Sequence, residues 1–154
     1  MTKEFLSFLL EDEEYAVPIL DVREVRGWTP VRKVPNSPNY MQGVLEIRGE
    51  YIPIVDLRLR FGLSAAEINA TTVVIVLNDQ QRHPLGIIVD GVSEVYSLTN
   101  EQIKPSPHVS VDVDHRYVQG IVSVPNGHMV LINMQALFDT AELAQPSQTE
   151  ESWA

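Results

Sequence analysis

With 154 residues, 44% of them apolar and 21% charged, the chain has the size of one ordinary globular domain, or of two small β-modules sharing a core. The absence of cysteine excludes disulfides, thiolate metal sites and cysteine nucleophiles, and the formal net charge of -10 argues against nucleic acid or an anionic membrane surface as the main partner. No apolar run approaches the ~20 residues of a membrane span, and the opening Met1–Phe5 lacks a basic, then apolar, signal pattern, so a cytoplasmic protein without membrane insertion is expected.

In chain order, short β-branched and aliphatic runs bounded by turn residues predict strands over Phe5–Leu10, Tyr15–Leu20, Val44–Ile47, Tyr51–Val55, Thr71–Leu77, Leu85–Val89, Val118–Val124 and Met129–Ile132. Hairpin turns are expected at Glu11–Glu14, Arg48–Glu50, Asn78–Gln81 and Pro125–Gly127, the last with an Asn-Gly pair suited to positive φ. Helical signals are brief. Asp56 can cap a turn through Phe61 that stops at Gly62, Thr99 and Gln102 have capping-box spacing, and Asn133 can cap a final helix to about Leu143. The polar stretch 145–154 has no periodicity and is expected to be disordered. The whole reads as all-β, in small barrels or a sandwich.

An internal repeat organises these elements. Tyr40–Phe61 aligns without a gap on Tyr117–Phe138, with Tyr40, Gln42, Gly43 and Phe61 meeting identical residues and the aliphatic positions keeping their character. A weaker echo matches Asp21–Val25 with Asp90–Val95 if one residue is inserted. Two related β-modules are therefore expected within one domain over 1–144, the second spanning roughly 71–138. Gly43 and Gly120 should mark a bend or a close backbone approach. The copies differ at the hairpin tip, where Arg48-Gly49-Glu50 stands against Pro125-Asn126-Gly127, so the fold itself does not demand Arg48.

Groups for chemistry are few. The four histidines form no i, i+4 pair, and Asp112, Asp114 and His115, which could in principle hold a metal, sit in a polar stretch better read as a solvated loop. No phosphate-cradling glycine loop and no Gly-x-Ser-x-Gly elbow occurs, and the acidic run Glu11–Glu14 reads as a solvated turn. The segment from Arg23 to Arg60, by contrast, holds seven of the eleven basic residues against four acids, and suits docking to an acidic protein surface. A protein-binding module, not an enzyme, and with no cofactor, is the expectation.

Three segments carry a family resemblance: Glu14–Trp28, Gly43–Arg58 with its Arg48-Gly49 turn and Pro53-Ile54-Val55-Asp56-Leu57 strand, and Val89–Val95. In order and spacing they resemble the CheW coupling proteins of bacterial chemotaxis, over about Phe5 to Phe138. The resemblance implies two SH3-like five-stranded barrels around a shared apolar seam, with short capped helices and a C-terminal helix. It also implies a non-catalytic adaptor, recruited to membrane-bound receptor arrays, that binds the cytoplasmic tip of methyl-accepting receptors and the regulatory domain of a CheA-type histidine kinase. On the receptor side it singles out Val22, Glu24 and Arg48, with Gly43 shaping the strand nearby; it assigns no kinase-contact residue. Glu46 stands where the family often has Asn, which suits a dedicated receptor or a non-flagellar chemosensory pathway. No appended receiver domain is expected from a sequence of this length. A small-molecule- or metal-binding barrel is the rival from another class.

Overall fold

The computed structural model describes residues 2–32, 38–105, 115–125 and 127–138. Ten strands lie among them: β1 (Thr2–Leu10), β2 (Glu13–Pro18), β3 (Val22–Gly27), β4 (Met41–Ile47), β5 (Glu50–Asp56), β6 (Val73–Asn78), β7 (Pro84–Val89), β8 (Gly91–Thr99), β9 (Val118–Val124) and β10 (Gly127–Ile132). Helix α1 covers Leu57–Arg60, and a second helix, α2, covers residues 134–138. The expected extension of α2 to Leu143 and the tail 145–154 lie outside the described residues.

Two five-stranded sheets form, in the orders β8-β1-β2-β10-β9 and β3-β6-β7-β5-β4. These orders are the same order: β8 answers to β3, β1 to β6, β2 to β7, β10 to β5 and β9 to β4. Each sheet curls until its ends meet. Arg32 and Val44 exchange backbone hydrogen bonds of 3.0 and 2.8 Å, closing one barrel, and Lys104 and Ile121 exchange bonds of 2.9 and 2.8 Å at the repeat-related place in the other. The Asp56 N–H bonds the Tyr40 carbonyl at 2.8 Å, and the Asn133 N–H bonds the Tyr117 carbonyl at 2.8 Å. The repeat seen in sequence is thus repeated hydrogen bond by hydrogen bond.

The expected module boundary near residue 71 does not divide the sheets. β6 and β7 belong with β3, β4 and β5, whereas the N-terminal hairpin β1–β2 joins β8, β9 and β10. The parallel pairing of β2 with β10, through Tyr15 and Val130, makes that join. Neither does the second echo need its inserted residue. Ala16 pairs with Leu131 as Gly86 pairs with Ile54, Val22 faces Leu77 as Val92 faces Phe8, and a bulge follows at the same place in both copies. Glu24 therefore answers to Glu94 and Leu20 to Asp90.

Strands buried on both faces read as unbroken apolar runs, and alternate residues go to different cores. Val74 and Val76 of β6 line one barrel interior with Ile52, Ile54 and Ile88, while Ile75 and Leu77 face the seam between the barrels. Met129 and Leu131 of β10 line the other interior with Phe5 and Val122, while Val130 and Ile132 face the seam. The seam is the largest cluster and draws on both sheets. A chain of rings runs through it, from Phe8 to Tyr15 (6.0 Å between centroids), Phe61 (5.8 Å) and Tyr117 (5.2 Å). The Arg60 guanidinium lies over both repeat-related tyrosines, 4.5 Å from Tyr40 and 4.8 Å from Tyr117.

Capping follows the sequence. The Asp56 carboxylate accepts from the Arg58 N–H at 3.1 Å, Phe61 closes α1, and Gly62 follows at φ +85°. The Gln102 side-chain oxygen accepts from the Thr99 N–H at 2.8 Å around a 3-10 turn, and Asn133 accepts from the Ala136 N–H at 3.3 Å. Leu20, read as the end of a strand, instead sits in a 3-10 turn over Ile19–Asp21. Pro18 brings no N–H to continue the ladder, and Leu20 stands 94% exposed.

Candidate functional site

The four residues singled out from sequence lie on two strands of one barrel, β3 and β4, and the turn that follows β4. β3 and β4 are the two edges of their sheet, and the curl of that sheet brings the β4–β5 turn over β3. The turn has two residues, Arg48 at φ +50° and Gly49 at φ +84°, with Ile47 paired to Glu50, the positive-φ geometry that matches strand twist in a tight hairpin. Its tip therefore projects Arg48 outward, 65% exposed, and an Arg48 Nη2 group donates to Glu24 Oε1 on β3.

Glu24 is 20% exposed and holds a second guanidinium: Arg26, two residues on and on the same strand face, donates from Nη1 to Glu24 Oε2 at 2.9 Å. The hydrogen bond from Arg26 and that from Arg48 pull the Glu24 carboxyl below its ordinary range, against the opposing effect of its desolvation. Next to this pair, Arg23 Nη2 donates to Glu50 Oε1 at 2.8 Å, tying the same turn to the same strand a second time. Two ion pairs thus close the barrel edge where backbone bonds do not.

Glu24 and Arg48 are brought together. Val22 is half-buried and packs against the seam, which leaves only part of its side chain exposed. Gly43 is buried at φ +149°, at a bulge in the β4–β5 ladder, and its counterpart Gly120 sits at the matching bulge. At Gly120 a Cβ would stand 3.0 Å from the Lys104 carbonyl oxygen, so a close backbone approach demands glycine there, whereas at Gly43 the positive φ does. Gly43→Ala is expected to lower stability by about 1–3 kcal/mol, read from a urea titration, because no L side chain is at ease at that φ; an unchanged midpoint would sink this account. Glu46 is exposed opposite Tyr51, at the rim of a shallow cleft it shares with Pro30, Arg32 and Val44.

Sequence reasoning did not single out Arg26, Arg23 or Glu50 as members of this constellation. The i, i+2 spacing of Glu24 and Arg26 on a strand was the available signal. It also passed over a set of exposed apolar side chains on the barrel edges: Leu20 and Val25 beside the site, and Val92 and Val95 on β8, where Val95 answers to Val25. In the second barrel the Glu24–Arg26 pair is replaced by Glu94 accepting from the Tyr96 hydroxyl at 2.8 Å, and the Arg48 position by Pro125, so only one barrel carries the cationic tip. Asp112 and Asp114, and the side chain of His115, lie outside the described residues; among the described ones no three carboxylate or histidine groups gather to hold a metal, and no helix is long and apolar enough to cross a membrane.

A family model described as CheW-like domain matches residues 4–142. The chain is 42% identical over 142 residues to the chemotaxis protein CheW of Klebsiella aerogenes, covering 92% of this chain and 85% of that one. It is 39% identical over 140 residues to the probable chemotaxis protein CheW of Rhizobium etli, covering 91% and 90%. The crystal structure of the scaffolding protein TtCheW from Thermoanaerobacter tengcongensis matches with a TM-score of 0.79 at 31% identity, over 86% of this chain and 90% of that one.

Proposed function

The chain belongs to the CheW-like domain family, and we propose that it is a non-catalytic adaptor of chemotaxis, coupling the cytoplasmic tip of methyl-accepting receptors to the regulatory domain of a CheA-type histidine kinase. It works in the cytoplasm and is recruited to receptor arrays. Receptor contact centres on Arg48 and Glu24, flanked by Val22, with Gly43 setting the path of β4 behind them.

The observation that carries this reading is the exposed Arg48 tip held by Glu24. A guanidinium offers five N–H donors in a rigid fork, and Glu24 takes one side of it. The remainder faces outward to accept a carboxylate, and the salt bridge to Glu24 fixes the long side chain before a partner arrives, which lowers the ordering cost of binding. Val22 and the exposed Leu20 and Val25 offer apolar contact around it. Arg26 keeps the Glu24 carboxylate ionised, so the anchor persists when Arg48 turns to a partner.

Titration of the receptor tip and of the kinase regulatory domain against the wild type and Arg48→Ala tests this. Arg48→Ala is expected to weaken receptor binding about 10- to 100-fold while kinase binding stays unchanged. Stability should move by less than about 1 kcal/mol, as for other exposed ion pairs. Receptor binding undiminished in Arg48→Ala would overturn the site, and a wild type that binds neither partner would overturn the adaptor.

A further inference from the structure

The pseudo-symmetry of the two barrels creates two equivalent junctions, and the described residues fill only one of them. At the first, α1 of one barrel meets the β1–β2 turn of the other. Arg58 grips Asp90 with two bonds, Nε to Oδ1 at 3.0 Å and Nη2 to Oδ2 at 2.6 Å, and reaches Glu11 with Nη1 at 3.5 Å; the Glu11 N–H donates to Asp90 at 2.8 Å. That guanidinium is 14% exposed and stitches the barrels together.

At the second junction α2 meets the β6–β7 turn, and every member of the clamp has changed. Gln135 stands at the Arg58 position, and Leu20, at the Asp90 position, points to solvent. A cavity of about 470 Å³ remains, walled by Asp21, Asn78, Asp79, Gln81, Gln135 and Phe138. Its polarity is that of a cation site: among the described residues lining it are two carboxylates and no lysine or arginine. Asp79 is largely engaged by its own turn, accepting from the N–H groups of Gln81 and His83 and contacting the His83 ring. Asp21 has no partner among the described residues, and its burial raises its pKa, as for a carboxylate lacking its counter-charge. Asn78 Oδ1 is buried at the same wall without a hydrogen bond. The segment from 139 to 154 contains no lysine, arginine or histidine, so it brings no cationic side chain to the junction.

We propose that this open junction receives an arginine side chain from a protein partner, placing a guanidinium beside Asp21 where Arg58 lies in the twin junction, with the exposed Leu20 against apolar residues flanking that arginine. This goes beyond the receptor reading, which uses Glu24 and Arg48, and neither depends on the other.

The test is an amide chemical-shift titration of the full chain, labelled with ¹⁵N, using N-acetyl-arginine-methylamide and its neutral citrulline counterpart as probes. Saturable shifts at Gln80, Gln81 and Gln135 are expected with the arginine probe and not with citrulline, and Asp21→Asn, with an otherwise native spectrum, should weaken binding about tenfold. In Gln135→Arg the chain's own guanidinium should fill the site, abolishing the probe's shifts and raising the thermal midpoint. Equal shifts from citrulline, unaltered binding in Asp21→Asn, or a Gln135→Arg variant that still binds the probe would each overturn the proposal.

Discussion

Phe61→Ala is expected to lower the free energy of unfolding by about 3–5 kcal/mol, and to do so for both barrels at once. Phe61 ends α1 in one barrel, yet its ring lies 5.8 Å from that of Tyr15 and 5.2 Å from that of Tyr117, both belonging to the other barrel's half of the seam. Truncation leaves a void bounded by rigid rings that cannot collapse into it, the situation in which cavity cost is highest. Because the seam is common property, unfolding should remain a single transition. Trp28 packs against one barrel interior, and its fluorescence should lose signal at the same urea concentration at which amide protection is lost in β1 and β9 of the other barrel. Two separated transitions, or a loss below about 1 kcal/mol, would refute the shared-core account.

The second large effect is expected at Arg58. Arg58→Ala strands the Asp90 and Glu11 carboxylates together at a partly exposed junction, Asp90 at 21% and Glu11 at 38%, and a loss of about 2–3 kcal/mol is expected, between the values for exposed and for fully buried pairs. The hydrogen bonds from Arg58 to Asp90 hold its guanidinium pKa above the ordinary value, so it stays charged at any working pH and neutralisation gives no relief. Arg58→Lys should recover only part of the loss, since an ammonium cannot match the bidentate grip. Urea midpoints for the two variants measure this. A Lys variant as stable as the wild type would show that charge alone matters, and an Ala variant within about 1 kcal/mol would reduce the clamp to a surface pair.

Much of this architecture was legible in the residues, for identifiable reasons. The eight strands expected from sequence are those with at least one face in a core, so aliphatic and β-branched residues dominate their runs. β3 and β8 escaped because Val22-Arg23-Glu24-Val25-Arg26 and Gly91–Thr99 alternate charged, hydroxyl and apolar side chains that lie half in solvent, whereas the opposite sheet edges, β4 and β9, keep enough aliphatic residues to be read. The repeat identified which strands are counterparts, but counterparts do not say which hairpin pairs with which sheet. Sequence offers no sign that β2 joins β10, since that contact is between distant residues of ordinary composition. The site was legible in the same uneven way. Resemblance pointed to Glu24 and Arg48, whereas their direct pairing arises from barrel curl and is invisible to spacing. Arg58 was read only as one of a locally basic run. Its role as the clamp between barrels depends on Asp90, which local sequence placed in an echo of Asp21 that the strand register then moved to Leu20.

The sharing of one barrel between the two ends of the chain has a consequence for how the molecule comes into being. During synthesis β1 and β2 emerge first, but their partners β8, β9 and β10 emerge last, while β3 to β7 form a barrel from one contiguous stretch. That contiguous barrel can close on the ribosome, and the N-terminal hairpin must wait beside it with open edges and apolar faces uncovered. The β2–β10 pairing has the highest sequence separation of the strand pairings among the described residues, and so is the one whose loop closure is slowest to be repaid. Folding therefore completes only when the last strand is free, and a chain stalled before residue 118 holds one finished barrel and one adhesive hairpin.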